Sequence, residues 1–335
     1  MRMVMRLGRI FGLCTCLIIV LTAAAPLPIR IAWISVPTQM SPILFAQQDL
    51  LDHQGVTYAV QHIHFSDEAP ILRAFAAGLI DIAPLTPNAV AVAIQNAGLD
   101  DLRIVADDYQ DGAHGHYSEE FMVGDASPIR AVEDLRGKVL AVEARGGMSE
   151  IALRAMLSRH GLSSDRDADI VEAPVPSQGA MLEQGRIDLA ALGAPFSYIL
   201  KARGSARALF TRADALGPSE GLMLVARAEF LERNRAALDD FFEDYLRALR
   251  WFLAPDHRDE AVLIAAQASR VPADLLDDYL FSDGDYFRDR DARPDLAALQ
   301  RNFDQLREAG ALDMTVDARA HADLSFIDEA ARRVK

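Results

Sequence analysis

Apolar positions along this chain change period repeatedly. Short alternating or wholly apolar runs give way to longer stretches with apolar residues at helical spacing. Residues 28–36 read as a strand, and Ser41-Pro42 starts a helix to about Leu51, with Ser41 as N-cap and Pro42 at the first helical position. Residues 56–64 alternate as a strand, 70–77 form a helix stopped by Gly78, and 80–84 form a short buried strand. Thr86-Pro87 starts the next helix, 102–106 is another strand, and the polar stretch 107–118 reads as a loop. From 119–124 onward the same alternation begins again. Strands are expected at 138–143, 168–173, 187–192 and 206–210, with helices at 149–160, 178–184 and from Pro195. The apolar run 222–226 is expected to return the chain to where it started. Beyond it lie only helical patterns, over 230–252, 260–268, 272–280 and 295–309, expected to pack on the first lobe. Strands alternating with helices give an α/β fold with largely parallel sheets.

One phrase occurs twice. Gly78-Leu79-Ile80-Asp81-Ile82-Ala83 and Gly185-Arg186-Ile187-Asp188-Leu189-Ala190 each follow a helical stretch and precede a proline, Pro87 and Pro195. The unit is helix, glycine stop, acidic residue, buried strand, new helix. Two copies 107 residues apart imply two similarly built lobes with a cleft between them, where small molecules bind. Asp81 and Asp188 are expected to cap backbone at strand starts. In different lobes they make no acid–base pair.

The first 24 residues read as a cleavable export signal. Arg2, Arg6 and Arg9 precede an apolar run from Ile10 to Leu21, and Thr22-Ala23-Ala24-Ala25 offers a cleavage site after Ala24. The apolar run is short for a membrane span, which takes about 20 residues. Both cysteines, Cys14 and Cys16, lie in that segment, so the processed chain holds no disulfide, thiolate nucleophile or Cys-ligated metal. Removing the three arginines moves the formal charge from −15 to −18, with 31 basic against 49 acidic residues. That balance excludes nucleic acid as a partner. No Gly-x-Ser-x-Gly, P-loop, His-Glu-x-x-His or dinucleotide fingerprint is present, so no enzymatic activity, cofactor or metal is expected. His62 with His64 and His114 with His116 are two His-x-His pairs, which we read as packed or solvated side chains rather than zinc ligands.

Four stretches together resemble the periplasmic solute-binding proteins of ABC importers, in their type II sulfonate, nitrate, taurine and thiamine-precursor group. They are Ile29–Trp33, Arg73–Ala83, Gln184–Ala190 and the most specific, Ser127-Pro128-Ile129 through Asp134-Leu135-Arg136-Gly137-Lys138-Val139. The resemblance covers residues 28–230 well and the helical tail loosely. It implies a two-lobed type II periplasmic-binding-protein fold, with lobe 1 at 25–121 and 225–335, lobe 2 at 122–224, and hinges near 119–124 and 222–227. It also implies a monomer in the periplasm that captures a small organic solute, sulfonate-like or a bulkier organic anion, by hinge closure and hands it to a membrane permease. The alternatives are a biosynthetic enzyme on the same fold, of the thiamine-pyrimidine or menaquinone type, or a binder of a pyrimidine or amine.

Strand ends that lead into helix starts face such a cleft and offer free backbone N–H groups. The candidate ligand loop is Arg145, Gly146, Gly147, Met148 and Ser149, with Arg145 and the loop N–H groups able to hold an anion. Ser35, Thr38, Gln39, Thr86, Asn88, Tyr109, Pro195, Phe196 and Glu220 complete the expected site. Two departures from the family stand out. The 145–149 loop lacks its usual run of hydroxyls, and Gly193-Ala194 stands where a tryptophan often precedes the loop proline. Both point to a roomier site.

Overall fold

Two five-stranded sheets organise the protein, a computed structural model that describes residues 25–96 and 98–334. The expected export signal lies outside the described residues. β1 (Leu27–Trp33), β2 (Tyr58–His64), β3 (Ile82–Leu85) and β4 (Leu102–Asp111) belong to the first sheet. β5 (Glu120–Gly124), β6 (Val139–Val142), β7 (Asp169–Glu172), β8 (Leu189–Leu192) and β9 (Ala206–Thr211) form the second, and β10 (Ser219–Arg227) returns to the first. The strand orders correspond: β2-β1-β3-β10-β4 and β7-β6-β8-β5-β9. In each, three strands run parallel, one of them (β3 or β8) entered through the repeated phrase, and the strand that brings the chain across, β10 or β5, pairs antiparallel. The sheets are therefore mixed.

The repeated phrase does the same work twice. Gly78 and Gly185 both sit at φ 66°, in the left-handed conformation that ends a helix without a Cβ clash. Asp81 N–H donates to Arg30 O and its carboxylate accepts from Arg30 N, while Asp188 N–H donates to Val139 O and its carboxylate accepts from Val139 N. Each aspartate thus locks the short buried strand against its parallel neighbour, as capping of strand-start backbone requires.

Helix Arg235–Phe252 packs its apolar stripe under one face of the first sheet, where Phe241 stacks on Phe45 at 5.1 Å. Its buried Asp244 accepts from Asp52 N, His53 N and the Tyr58 hydroxyl, which ties down the β1–β2 connection. Helices Glu68–Ala76, Pro87–Asn96 and Leu296–Glu308 cover the opposite face. The tail therefore packs on the first lobe, and it adds a helix, Ser325–Arg333, against Arg235–Phe252.

Three expectations change. The stretch 107–111 is not loop but the end of β4, because β10 pairs with it as far as Ser219↔Asp111 and its carboxylates find internal partners. Neither crossing lies where expected: 120–124 is β5 of the second sheet and 222–227 belongs to β10 of the first, so the chain changes sheets at 112–119 and 212–218. Ser41 is not an N-cap. Its helix, Ser41–Leu44, begins after Met40, and the Ser41 hydroxyl meets His62 Nε2 at 3.0 Å. Among the described residues no helix is long and apolar enough to cross a membrane.

Candidate ligand cleft

The carboxyl ends of β1 and β3 in one lobe and of β6 and β8 in the other open into four loops, and these loops meet. Thr38 Oγ1 donates to Ala194 O at 3.2 Å across the gap. A Cβ on Gly146 would touch Ala311 at 3.8 Å. Met148, in the second lobe's loop, is buried in the first lobe's apolar cluster beside Phe303 and Leu306.

The C-terminal segment supplies a wall that the sequence reading did not anticipate. Tyr286 reaches over to Gly193, where a Cβ would lie 2.4 Å from its hydroxyl. Gly193 is small because Tyr286 occupies the space. Tyr286 stacks on Tyr109 at 4.2 Å and meets Tyr117 edge-on at 5.0 Å. Tyr109 in turn lies flat on Gly221, where a Cβ would fall 2.3 Å from its ring. Beneath them Arg288, buried against Asp285 at 2.7 Å, donates to Thr38 O at 3.1 Å.

Each expected residue has a definite place. Gln39 is buried, and its Oε1 accepts from Ile34 N and Ser35 N, so it shapes the first loop. Thr86 Oγ1 accepts from Ala89 N and donates to Glu68, and Thr86 N donates to Glu68 Oε1 at 2.6 Å. Asn88 follows, half-buried, in the same helix turn. Arg145 turns away from the cleft: its guanidinium donates to Ile170 O and Glu150. Two of the loop N–H groups are already used, Arg145 N by Glu172 Oε1 and Gly146 N by Glu150 Oε2, each at 2.6 Å. Gly147, the N-cap, has its N–H on Ala144 O. Ser149 does not cap its helix but donates to both Glu119 oxygens, at 3.0 and 2.9 Å. Pro195 is buried and Phe196 packs into the second lobe's core. Glu220 is not at the cleft surface. It is 1% exposed, accepts from Asp295 N, and lies beside the buried carboxyl of Asp107. The irregular pairing of β10 beyond Leu222 turns that stretch toward the start of Leu296–Glu308.

Charged residues missing from the sequence reading lie at the crossing and at a helix start. Arg212 follows the second sheet's last strand, 2.7 Å from Asp111 and 3.6 Å from Glu119. Burial pushes the Glu119 carboxyl up, against the pull of Arg212. Burial pushes Glu68 up to about 7, overcoming its two bonds from Thr86, with the charges of Glu143 and Asp67 adding to the rise. Only one of these had a local signal: Ser66-Asp67-Glu68 is a helix start, with Asp67 capping Ala69 N at 3.0 Å. The His-x-His pairs hold no metal-like geometry. His62 serves Ser41, His64 packs on Trp33 at 4.5 Å, and His114 and His116 pack on Phe287. Among the described residues the one cluster with ligand spacing is His53, Asp240 and Glu243, and Arg333 reaches both of its carboxylates, at 3.1 and 3.5 Å.

Comparisons with known proteins agree with this architecture. Residues 22–266 match the NMT1-like family. A stretch of 238 residues, 71% of each chain, is 24% identical to a protein of Escherichia coli (strain K12) named for aliphatic-sulfonate binding. The periplasmic nitrate-binding protein NrtA from Synechocystis PCC 6803 superposes with a TM-score of 0.73 at 15% identity, over 92% of this chain and 89% of that one. The alkanesulfonate-binding protein SsuA from Xanthomonas axonopodis pv. citri, bound to MOPS, superposes with a TM-score of 0.71 at 21% identity, over 90% of this chain and 100% of that one.

Proposed function

The chain belongs to the NMT1-like family, and on that premise we propose that it is the solute-binding component of an ABC-type importer. It works as a monomer outside the cytoplasm, after its leader is cleaved. It captures a small solute between the lobes and presents the closed form to a membrane permease. One observation carries this reading: loops from two sheets joined by two crossings touch across a single cleft, through Thr38 and Ala194 and through Tyr286 and Gly193. Crossings at 112–119 and 212–218 are short and adjacent through Arg212, whose N–H donates to Glu119 O at 2.8 Å. Rotation about such a pair opens and closes the lobes with little cost to either core. Capture needs no covalent step.

The test is a thermal-shift screen of the purified protein against sulfonates, nitrate, aromatic acids, pyrimidines and amines, followed by small-angle scattering with the hit. A ligand at about 100 times its dissociation constant adds roughly 2.7 kcal/mol of stability. A hit that raises the melting temperature and shrinks the radius of gyration is expected. An absence of any hit across the panel would sink the reading. Glu68 favours a second reading, since a cleft carboxyl titrating at about 7 suits acid–base catalysis. Chemical turnover of a hit during the screen would select that enzyme reading; recovery of the hit unchanged selects capture.

A further inference from the structure

We propose that residues 279–288 of the C-terminal tail form a strap, fixed to the first lobe, that clasps Tyr198 of the second lobe and holds part of the free protein closed before any solute arrives. The inference goes beyond solute capture, since it concerns the equilibrium between open and closed forms of the protein alone.

The strap is built rigidly onto the first lobe. At one end Tyr279, 1% exposed, belongs to that lobe's apolar core. At the other, Gln110 N–H of β4 donates to Phe287 O at 2.8 Å, and Arg288 donates to Thr38 O at 3.1 Å. Between these ends the chain turns tightly. Ser282 Oγ donates to Tyr279 O at 2.6 Å and accepts from Gly284 N at 3.1 Å. The Asp285 carboxylate accepts from Phe281 N at 3.2 Å and from Arg288 at 2.7 Å. Serine and aspartate bonds of this kind hold a turn in one shape, so Gly284 O has a set position.

That position receives the second lobe. Tyr198 lies on helix Phe196–Ala202, yet it packs on the first lobe's core and not on its own. Its ring stacks on Tyr279 with centroids 4.2 Å apart and planes within 12°, and its hydroxyl donates to Gly284 O at 2.6 Å. Glycine is needed there, because a Cβ would lie 3.2 Å from the Tyr198 hydroxyl and 3.2 Å from Tyr279 Cβ. Lys201 braces the ring from the second lobe's side, with Nζ 4.2 Å from the Tyr198 centroid and 2.9 Å from Glu120 Oε1 of β5. The same strap carries Tyr286 to Gly193. All of these contacts are made by the protein itself, so they favour closure whatever the solute. One feature opposes them. The Tyr279 hydroxyl is buried and finds no partner among the described residues. A buried hydroxyl without a partner costs stability, so the clasp closes the lobes without locking them. A solute that binds the closed form gains affinity in proportion to how much of that form already exists. Tyr198 thus strengthens capture without touching the solute.

The experiment is pulsed electron resonance on the processed, solute-free protein. Residues 25–335 hold no cysteine, so spin labels go on Arg203→Cys and Asp283→Cys, exposed positions on either side of the clasp. We expect the parent to show a short-distance, closed population. Tyr198→Phe loses the bond and keeps the stack, so it should lower the closed-to-open ratio roughly fivefold. Tyr198→Ala loses both and should lower it further. Tyr198 lies outside the second lobe's core, so both variants should fold, as circular dichroism checks, and the Phe variant decides alone if the Ala variant does not. A parent with only the long distance overturns the inference, and so does the parent's ratio persisting in the variants. Either result leaves solute capture standing, which the ligand screen tests separately.

Discussion

Arg288 is the residue on which the cleft floor depends. It is buried beside Asp285 and Asp108, and it reaches Thr38 O in the loop that touches the second lobe. Replacing it by alanine leaves buried negative charge without a partner, so Arg288→Ala should cost about 3–5 kcal/mol. Urea unfolding measures this, and a loss near zero would contradict the pairing. Gly193 is a different kind of position. A Cβ there meets only the Tyr286 hydroxyl, the far end of a side chain. Gly193→Ala should leave the melting temperature nearly unchanged but hold the lobes apart and weaken ligand binding. Adding Tyr286→Phe removes the clashing oxygen, so closure should return in the double variant, read by scattering with ligand. Additive effects of the two changes would mean that this contact does not govern closure.

At the scale of elements, the repeat shows how far sequence carries. The phrase ending in Asp81 and Asp188 specifies a glycine stop, a strand and the strand's register, since each aspartate's bonds to its neighbour are local in geometry though distant in sequence. The strands that cross between lobes carry no such signature. β4 and β10 bring together Asp107 and Glu220, two buried carboxyls side by side, where burial and mutual repulsion favour a proton on the pair. Burial pushes both carboxyls up, and Asp108, Asp289 and Asp295 add negative charge nearby. The unfolded values lie near 4, so from about 4 up to the raised folded value the folded state holds the extra proton. The pair's contribution is therefore full below that window and is lost as pH rises through it, by about 1.4 kcal/mol per pH unit for one proton. Glu220→Gln donates to Asp107 without a titratable proton, so its melting temperature should fall less steeply from pH 5 to 8 than that of the parent. Equal slopes would show that the pair does not share a proton.

For the whole molecule, function follows from two sheets of matching strand order joined twice. The two-lobed α/β organisation, the placement of the tail on the first lobe and four of the cleft loops were legible in the chain. Local periods, helix stops and the repeated phrase encode each of these within a few residues. The positions of the crossings were not. Whether 222–226 is a crossing or a strand depends on β3 and β4, which lie far away in sequence and pair with it along its length. The chemistry of the cleft was not legible either. Glycines and an arginine at a helix start read as an anion site. The tertiary structure spends two of those N–H groups on Glu172 and Glu150, turns the Arg145 guanidinium onto Ile170 O, and brings Tyr286 against Gly193 from the C-terminal segment. Sequence alone determined the elements and their doubling, because backbone propensity and apolar period act locally. Only the folded chain decided which donors and charges are already paired, because that depends on which partners each polar group finds far away in sequence.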